Sequence, residues 1–398
     1  MMSTQFMDKK LGSNTGMDFV NNLDTDTSLS ILSCLDDPSD IVRASAVSRS
    51  WRQFVINYNL SKNLCLKLFH QLSNVGHIVE THDESSEAGS SSVMDTRLLE
   101  KEHRAYALLA RGCTSSPIQS CIADAIIASS TDNFPAESIS NTLDEPDRIG
   151  ETPSYWSSTG QHKTSVPETL LYRLMGDLCV ITEFKVQPFQ AFFQRGHPIY
   201  SSHYVRIRLG YHKNDNSPQY NNSQDKKGEP GKSSAESNYV WTYTSQEFSM
   251  AQENRLQTFE LPEPVLCIGG YMLVEFLGRV QTQDLDGQYY ICVSHVKVMG
   301  RSLAQSFRVE NVDDCGKFGL KVLSYSDPKD MVEMDAEEDE MDAEEVEMNA
   351  EEEQNQFRGI RNLEQLLNYL HRHPLDVVDI EYVLPESDNE DAESDDEV

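Results

Sequence analysis

The histidines, carboxylates and hydroxyls of this 398-residue chain fall into no recognisable catalytic spacing. Ser, His and Asp all occur, yet no nucleophile-elbow pattern, phosphate-cradling glycine loop or His-Glu-x-x-His helix gathers them. The densest histidine site, His371-Arg372-His373-Pro374, follows a helical stretch from Asn362 to Leu370. Cations facing the C-terminal end of a helix explain it better than metal ligation does. Asp284-x-Asp286-Gly287 lacks the spaced ligands and terminal Glu of a calcium loop and reads as a hairpin turn. The eight cysteines show no Cys-x-x-Cys and no paired Cys/His spacing, so they read as reduced, partly buried thiols. No catalytic residue, cofactor or metal is expected. What remains is recognition chemistry: Trp156, Phe192, Phe193, His197, Tyr200, His203 and Trp241 are aromatic or imidazole groups suited to stacking on a sugar or gripping a peptide. Against this stands the plainer and stronger reading that most are core or rim residues of an all-β domain.

The elements that must position these residues change character along the chain. From Tyr155 the pattern has period 2, with strands expected at 170–174, 178–186, 204–210, 240–244, 255–261, 271–280 and 289–298. Many short strands without intervening helices point to an antiparallel sandwich over 151–303, with Asp286-Gly287 turning between the last two. In the final strand Ile291, Val293, His295 and Lys297 alternate with Cys292, Ser294, Val296 and Val298, so both faces are mixed. Residues 212–238 form a polar insertion with little core to offer. Before the sandwich, 63–150 reads as a helical connector interrupted by a polar linker at 81–92. One helix is expected from Asp95 to Ala110, and a second after Pro117 carrying Ile118, Cys121, Ile122, Ala125 and Ile126 on one face. The connector is either a brace between the flanking domains or an irregular link.

Nearer the N-terminus, Asp26 or Thr27 can cap a helix bearing Leu29, Ile31, Leu32 and Leu35, which Asp36-Asp37-Pro38 ends. Pro38 suits the first position of a second helix with Ile41, Val42 and Ala44, and a third carries Val47, Trp51, Phe54 and Val55. Helices this short need to pack on each other and on a partner. The order of Leu23, Ile31, Leu32, Leu35, Pro38, Asp40, Ile41, Arg43, Val47, Ser48 and Trp51 over residues 17–62 resembles the F-box. Asp24 stands where that pattern has proline, and Ser48 where it has cysteine. The run Tyr155-Trp156-Ser157-Ser158, with Leu170-Leu171-Tyr172 and the strand after Leu178, is similar to the opening of a galactose-binding-like jelly-roll, the fold of discoidin-type domains. Together the two halves resemble plant F-box proteins that carry such a sandwich behind the adaptor motif.

Charge argues in the same direction. Of the net −32, the residues from Asp327 onward carry −23, leaving −9 on the rest. Nothing supplies the clustered Lys and Arg that nucleic-acid binding needs. No run of about 18 apolar residues supports a membrane span, and the N-terminal residues 1–16 show no signal-peptide core and read as disordered. Three Met-Asp/Asn-Ala-Glu-Glu repeats at 334, 341 and 348 mark an acidic low-complexity stretch over 327–356. A helical or extended docking segment over 357–384 and an acidic tail over 385–398 follow, the whole C-terminus reading as solvated and disordered outside the docking segment. Ser387 and Ser394 each have a Glu three residues downstream, which makes them candidate sites for phosphorylation by an acid-directed kinase.

The fold expected is therefore an α+β multidomain chain: three-helix F-box, helical connector, antiparallel jelly-roll sandwich and acidic tail. The resemblance implies a non-catalytic substrate receptor of a Skp-cullin-F-box ubiquitin ligase in the nucleus or cytoplasm. Leu23, Ile31, Leu32, Leu35, Pro38, Asp40, Ile41, Arg43, Val47 and Trp51 would form or support the adaptor face. The sandwich would hold a target protein, glycosylated or not. Two alternatives stay open: a carbohydrate- or peptide-binding module whose N-terminal helices are structural, and a chaperone of basic partners acting through the acidic tail.

Overall fold

Short polar residues placed before apolar runs start the N-terminal helices, and a computed structural model describing residues 19–80, 91–213, 238–310, 312–313 and 315–325 shows where each begins. The helices are α1 (Phe19–Asn22), α2 (Thr25–Leu32), α3 (Pro38–Val47), α4 (Arg49–Asn57), α5 (Leu60–Leu68) and α6 (Ser91–Ser115). The three helices expected around the motif are α2, α3 and α4. The cap of α2 is neither Asp26 nor Thr27 but Asp24, whose carboxylate accepts from the Thr27 backbone N–H at 2.9 Å and from its hydroxyl at 2.7 Å. Asp37 caps α3, with Pro38 in the first turn as expected, and Ser48 caps α4 through the Trp51 N–H.

The longer strands are β1 (Val75–Glu80), β2 (Ile122–Ala128), β3 (Glu168–Leu174), β4 (Leu178–Gln190), β5 (Ser202–His212), β6 (Tyr239–Thr244), β7 (Gln257–Ile268), β8 (Tyr271–Arg279), β9 (Cys292–Ser302), β10 (Phe307–Glu310) and β11 (Phe318–Val322). Two antiparallel sheets face each other. One runs β6-β5-β8-β3-β2 and the other β7-β4-β9, extended past β9 by Gln119–Ser120. The registers Ile207↔Val274↔Leu170 in the first and Val265↔Ile181 in the second bring buried apolar residues side by side. Tyr172, Ile207, Val274 and Phe276 from one sheet meet Ile181, Phe184, Val186 and Val298 from the other in a single core.

The second helix expected after Pro117 is instead strand. Residues Ile122–Ala128 pair with β3 as β2, Ile118 lies outside the strand, and two register irregularities, between Ile122 and Asp124 and between Ala125 and Ile127, interrupt the alternation. Those bulges spread the apolar residues at a spacing that imitates a helix. The region 63–150 is therefore no uniformly helical connector: α5 and α6 are helical, whereas β1 and β2 join two different sheets. The last two residues of the 81–92 linker already belong to α6. A small mixed sheet was not anticipated either: β1 lies parallel to β11, which pairs antiparallel with β10. The Asp286-Gly287 turn does form, with Gly287 at φ +67, but it closes a short hairpin between 281–282 and 289–290 ahead of β9.

The helices and the sandwich share a hydrophobic core, and period 2 shows how. Along β4, Cys179 and Ile181 enter the sandwich, while their neighbours Leu178 and Val180 point the other way into a cluster with Leu32, Ile41, Leu64, Leu109 and Phe318. Along β7, Val265 and Cys267 face inward while Leu266 and Ile268 face the helices. This end of the sheet is covered on both sides, so its strands read as nearly continuous apolar runs. Helix α6 supplies Ala105, Tyr106, Leu109, Ala110 and Cys113 to that shared layer at helical spacing. It braces the N-terminal helices onto the sheet. All eight cysteines are free, Cys34 and Cys315 exposed and the others buried.

Residues 1–18, the 81–90 part of the linker and the 214–237 part of the polar insertion lie outside the described residues. So do the acidic repeat, the docking segment, the tail with Ser387 and Ser394, and His371–His373. Among the described residues no helix is long and apolar enough to cross a membrane, and no group of His, Cys, Asp and Glu is placed to hold a metal ion.

Candidate functional site

Two surfaces of the described residues carry features that folding alone does not require, and they sit at opposite ends of β4. At the helical end, the motif residues divide into two sets. Leu32 and Ile41 are 3% and 2% exposed, and Pro38 and Ala44 are buried with them, so these side chains hold the helices together. Leu23, Ile31 and Val47 are 42%, 43% and 61% exposed, and Val42 is exposed beside them. Leu23 stands just before α2, Ile31 on α2, and Val42 and Val47 on α3, so these neighbouring elements leave large apolar side chains in water. Leu35 and Trp51 are half-buried at the boundary, Trp51 packing edge-on against Phe19 with ring centroids 4.7 Å apart. A hollow of about 130 Å³ opens between Leu32, Leu35, Ile41, Leu60 and Leu64, with Lys67 at its lip. Asp40 and Arg43 form an exposed ion pair at 2.7 Å, which contributes little to stability. The expected adaptor residues thus include buried supports, Leu32, Pro38 and Ile41, as well as surface groups.

At the other end of the sandwich, three loops enclose a cleft of about 190 Å³. The first follows β2 and brings Asp132 and Glu137. The second, after β4, brings Phe193 and Gln194. The third is the 281–290 hairpin, which brings Gln283 and Tyr290. Aromatic rings make the walls: Tyr155 stacks on Phe189 at 3.9 Å and 9°, and Tyr200 meets Tyr290 edge-on at 6.2 Å. Carboxylates organise the hydroxyls. Tyr155 donates to Glu137 Oε1 at 2.8 Å and Tyr290 donates to Asp286 Oδ2 at 2.7 Å. Burial first, then the negative charge of Glu137 and Asp132, pushes the Tyr155 phenol well above its ordinary value. Tyr200 is pushed up to about 12, mainly by burial, with Asp284 and Asp286 adding to it. The Asp286 carboxyl is held below its usual range by the bond from Tyr290.

A buried ion pair supports this end from behind. Arg279 and Glu168 are both fully removed from water and bonded to each other. The guanidinium also donates to Ser158 Oγ at 3.0 Å, to the Thr159 carbonyl and to the Tyr289 carbonyl at 2.8 Å. Glu168 in turn accepts from the hydroxyls of Ser129 and Ser130. The pair therefore ties the end of β8 to the loop after β2 and to the strand carrying Tyr290. Burial lowers the pKa of Arg279 and the Glu168 charge opposes that shift.

Of the expected recognition residues, the fold brings Phe193 and Tyr200 to the cleft. Phe192 and His197 lie on the same turn, where His197 adopts a left-handed φ of +49 and Arg148 stacks over Phe192 at 4.2 Å. Trp156 is wholly buried in the core, its indole N–H donating to the Ser130 carbonyl at 3.0 Å. His203 and Trp241 stand on β5 and β6 of the other sheet, Trp241 stacked on Tyr239. Asp132, Glu137, Tyr155, Phe189 and Tyr290 escaped the sequence reading. Their one visible signal was aromatic density beside turn residues, as in Tyr289-Tyr290 after Asp286-Gly287.

Comparison with known proteins adds to this geometry. A family model described as F-box-like matches residues 25–67. A protein of Arabidopsis thaliana described as an F-box protein is 81% identical over 386 residues, spanning 96% of this chain and 99% of the relative. Solved structures of similar shape include a family 32 carbohydrate-binding module from C. perfringens in complex with galactose, at 12% identity and TM-score 0.27, covering 46% of this chain and 93% of that one. Another is the family 32 carbohydrate-binding module of a Streptococcus pneumoniae protein, at 10% identity and TM-score 0.28, covering 45% and 98%.

Proposed function

The chain belongs to the F-box protein family, and on that premise we propose that it is a substrate-receptor subunit of a Skp-cullin-F-box ubiquitin ligase, working in the nucleus or cytoplasm. The observation that carries the reading is the exposed apolar set Leu23, Ile31, Val42 and Val47, presented by helices whose own core is already filled by Leu32 and Ile41. A Skp-family adaptor covering those side chains would bury them at a gain of about 25 cal/mol per Å² of apolar surface. Target binding falls to the loop end of the sandwich.

The chain performs no bond chemistry in this scheme; it acts by holding a target near the conjugating machinery. Distance matters to such a device. Residues 178 and 180 of β4 sit in the helical core and Phe189 at its other end lines the cleft, so the strand spans about 35 Å between them at 3.3 Å per residue. With α6 and β4 sharing one core, this separation is set by the fold rather than by a loose linker.

The test is affinity purification of the tagged full chain. The adaptor is expected in stoichiometric amount, and lost in Ile31→Glu/Val47→Glu while the circular dichroism and melting temperature stay unchanged. Retention of the adaptor by that folded variant would remove the proposed face. Binding to a sugar column that survives in the same variant, with no adaptor in the wild type, would favour a carbohydrate-binding module instead.

A further inference from the structure

We propose that the cleft at the loop end of the sandwich takes a positively charged side chain, a guanidinium or an ammonium, from an extended segment of the target. This rests on the receptor reading above and specifies what the receptor recognises. Three independent features of the cleft converge on a cation. Its walls are aromatic faces and edges, from Tyr155, Phe189, Tyr200 and Tyr290, and such faces attract cations through their negative quadrupole. Its lining carries carboxylates, Asp132 and Glu137, and among the described residues no Lys or Arg; Asp286, bonded to the hydroxyl of the lining residue Tyr290, adds a further negative charge nearby. Its volume, about 190 Å³, falls below the roughly 300–1,000 Å³ of sites for drug-sized ligands, which suits one side chain and not a folded element.

The rim points to a peptide rather than to a free small cation. Each of the three loops leaves one large apolar side chain in water: Phe134 at 75% exposure, Phe193 at 59% and Leu285 at 92%. Phe134 lies next to the lining residue Asn133, Phe193 lines the cleft itself, and Leu285 lies between the lining residue Gln283 and Asp286. Exposed apolar side chains on the loops that line a charged, aromatic hole suit a basic residue flanked by apolar ones, apolar contact at the edge excluding water from the charge. The same turn already shows the preference on a smaller scale, since Arg148 of the chain lies 4.2 Å over the ring of Phe192.

Fluorescence polarisation tests this with the full chain, copurified with its adaptor, and nine-residue labelled peptides whose leucine-flanked centre is Arg, Lys, norleucine or Glu. The Arg or Lys peptide is expected to bind about tenfold or more tightly than norleucine, with Glu weakest. Whichever of Arg and Lys is tighter identifies the cation. That advantage is expected to shrink in high salt and in Asp132→Asn/Glu137→Gln, where the Gln side-chain oxygen can still accept from Tyr155 and Asp132 is already exposed. Equal affinity for the Arg, Lys and norleucine peptides overturns the proposal, and so does an unchanged Arg advantage in the double variant. Copurification of the adaptor in the same preparation is scored separately. Loss of the adaptor with retained Arg preference would sink the receptor reading alone, and the reverse would sink only the cleft.

Discussion

The two ends of β4 solve opposite problems. The N-terminal helices are too short to bury everything they carry, so they keep Leu32 and Ile41 inside and leave Ile31 and Val47 in water. The sandwich fills a core between its two sheets and even encloses an ion pair, Arg279 with Glu168, at zero exposure, leaving its most exposed apolar side chains, Phe134, Phe193 and Leu285, on loops. On the proposed reading, the apolar side chains that the helices leave exposed are what the adaptor covers. A closed sandwich has its core already, and on the receptor reading proposed above its recognition falls to what the loops add: rings, carboxylates and a rim. The contrast shows why one end is expected to be an obligate apolar contact and the other a selective, charge-dependent one.

The largest effect should come from breaking the closed end. Arg279→Met takes the guanidinium away from Glu168 in a dry site, leaving its charge to be held by groups such as the Ser129 and Ser130 hydroxyls, and removal of one partner of such a pair costs about 3–5 kcal/mol. Urea unfolding should register it. A far smaller loss would mean water reaches the pair and the sandwich is less closed than described. Next comes the helical core: Leu32→Ala is expected to cost about 2–5 kcal/mol, because the cavity it leaves lies between α2, α3 and the shared layer. Its exposed neighbour sharpens the comparison. Ile31→Glu should leave folding stability within about 0.5 kcal/mol of wild type. Adaptor binding by calorimetry should nevertheless weaken by about 2 kcal/mol if Ile31 is a hot spot. Equal effects of the two substitutions on folding would erase the division between buried support and open face.

The smallest effect concerns the first cap. The Thr27 N–H and hydroxyl hold the Asp24 carboxyl below its ordinary value. A depressed folded-state pKa means the cap's contribution is complete above the unfolded value, begins to fade below about pH 4, and is lost as pH falls through the lowered value. Melting curves between pH 5 and pH 2 on wild type and Asp24→Asn should converge at the acid end, since Asn also caps but does not titrate. Curves that stay parallel would show that Asp24 contributes no pH-dependent stability.

How much of this was legible beforehand depends on how local each signal is. Asp37-Pro38 announces a helix start within two residues, and the alternation from Leu170 to Val298 announces strands, because both depend on neighbours in sequence. The segment after Pro117 misled for the same reason: bulges opposite β3 broke its period, and only the pairing partner reveals that. The Asp24 position was read as a lost proline, although an aspartate there supplies the cap that such a turn requires. Of the cleft, Phe193 and Tyr200 were among the aromatic groups singled out as suited to stacking. Asp132, Glu137 and Tyr155 gave no comparable sign, since acidic and aromatic residues beside loops are ordinary.

The sequence by itself determined the kind of element at most positions, the order of the adaptor motif, the sandwich that follows it and the concentration of negative charge beyond Asp327. These follow from side-chain period, capping chemistry and composition, all of which act over a few residues. The tertiary structure alone decided which motif leucines and isoleucines face water, that β11 returns to lie beside β1, and that β4 buries both of its faces at the helical end. It also assembled the cleft from three loops that are distant along the chain. The physical reason is common to all of these: exposure and electrostatic environment are set by which surfaces exclude water from one another, and packing between distant segments settles that.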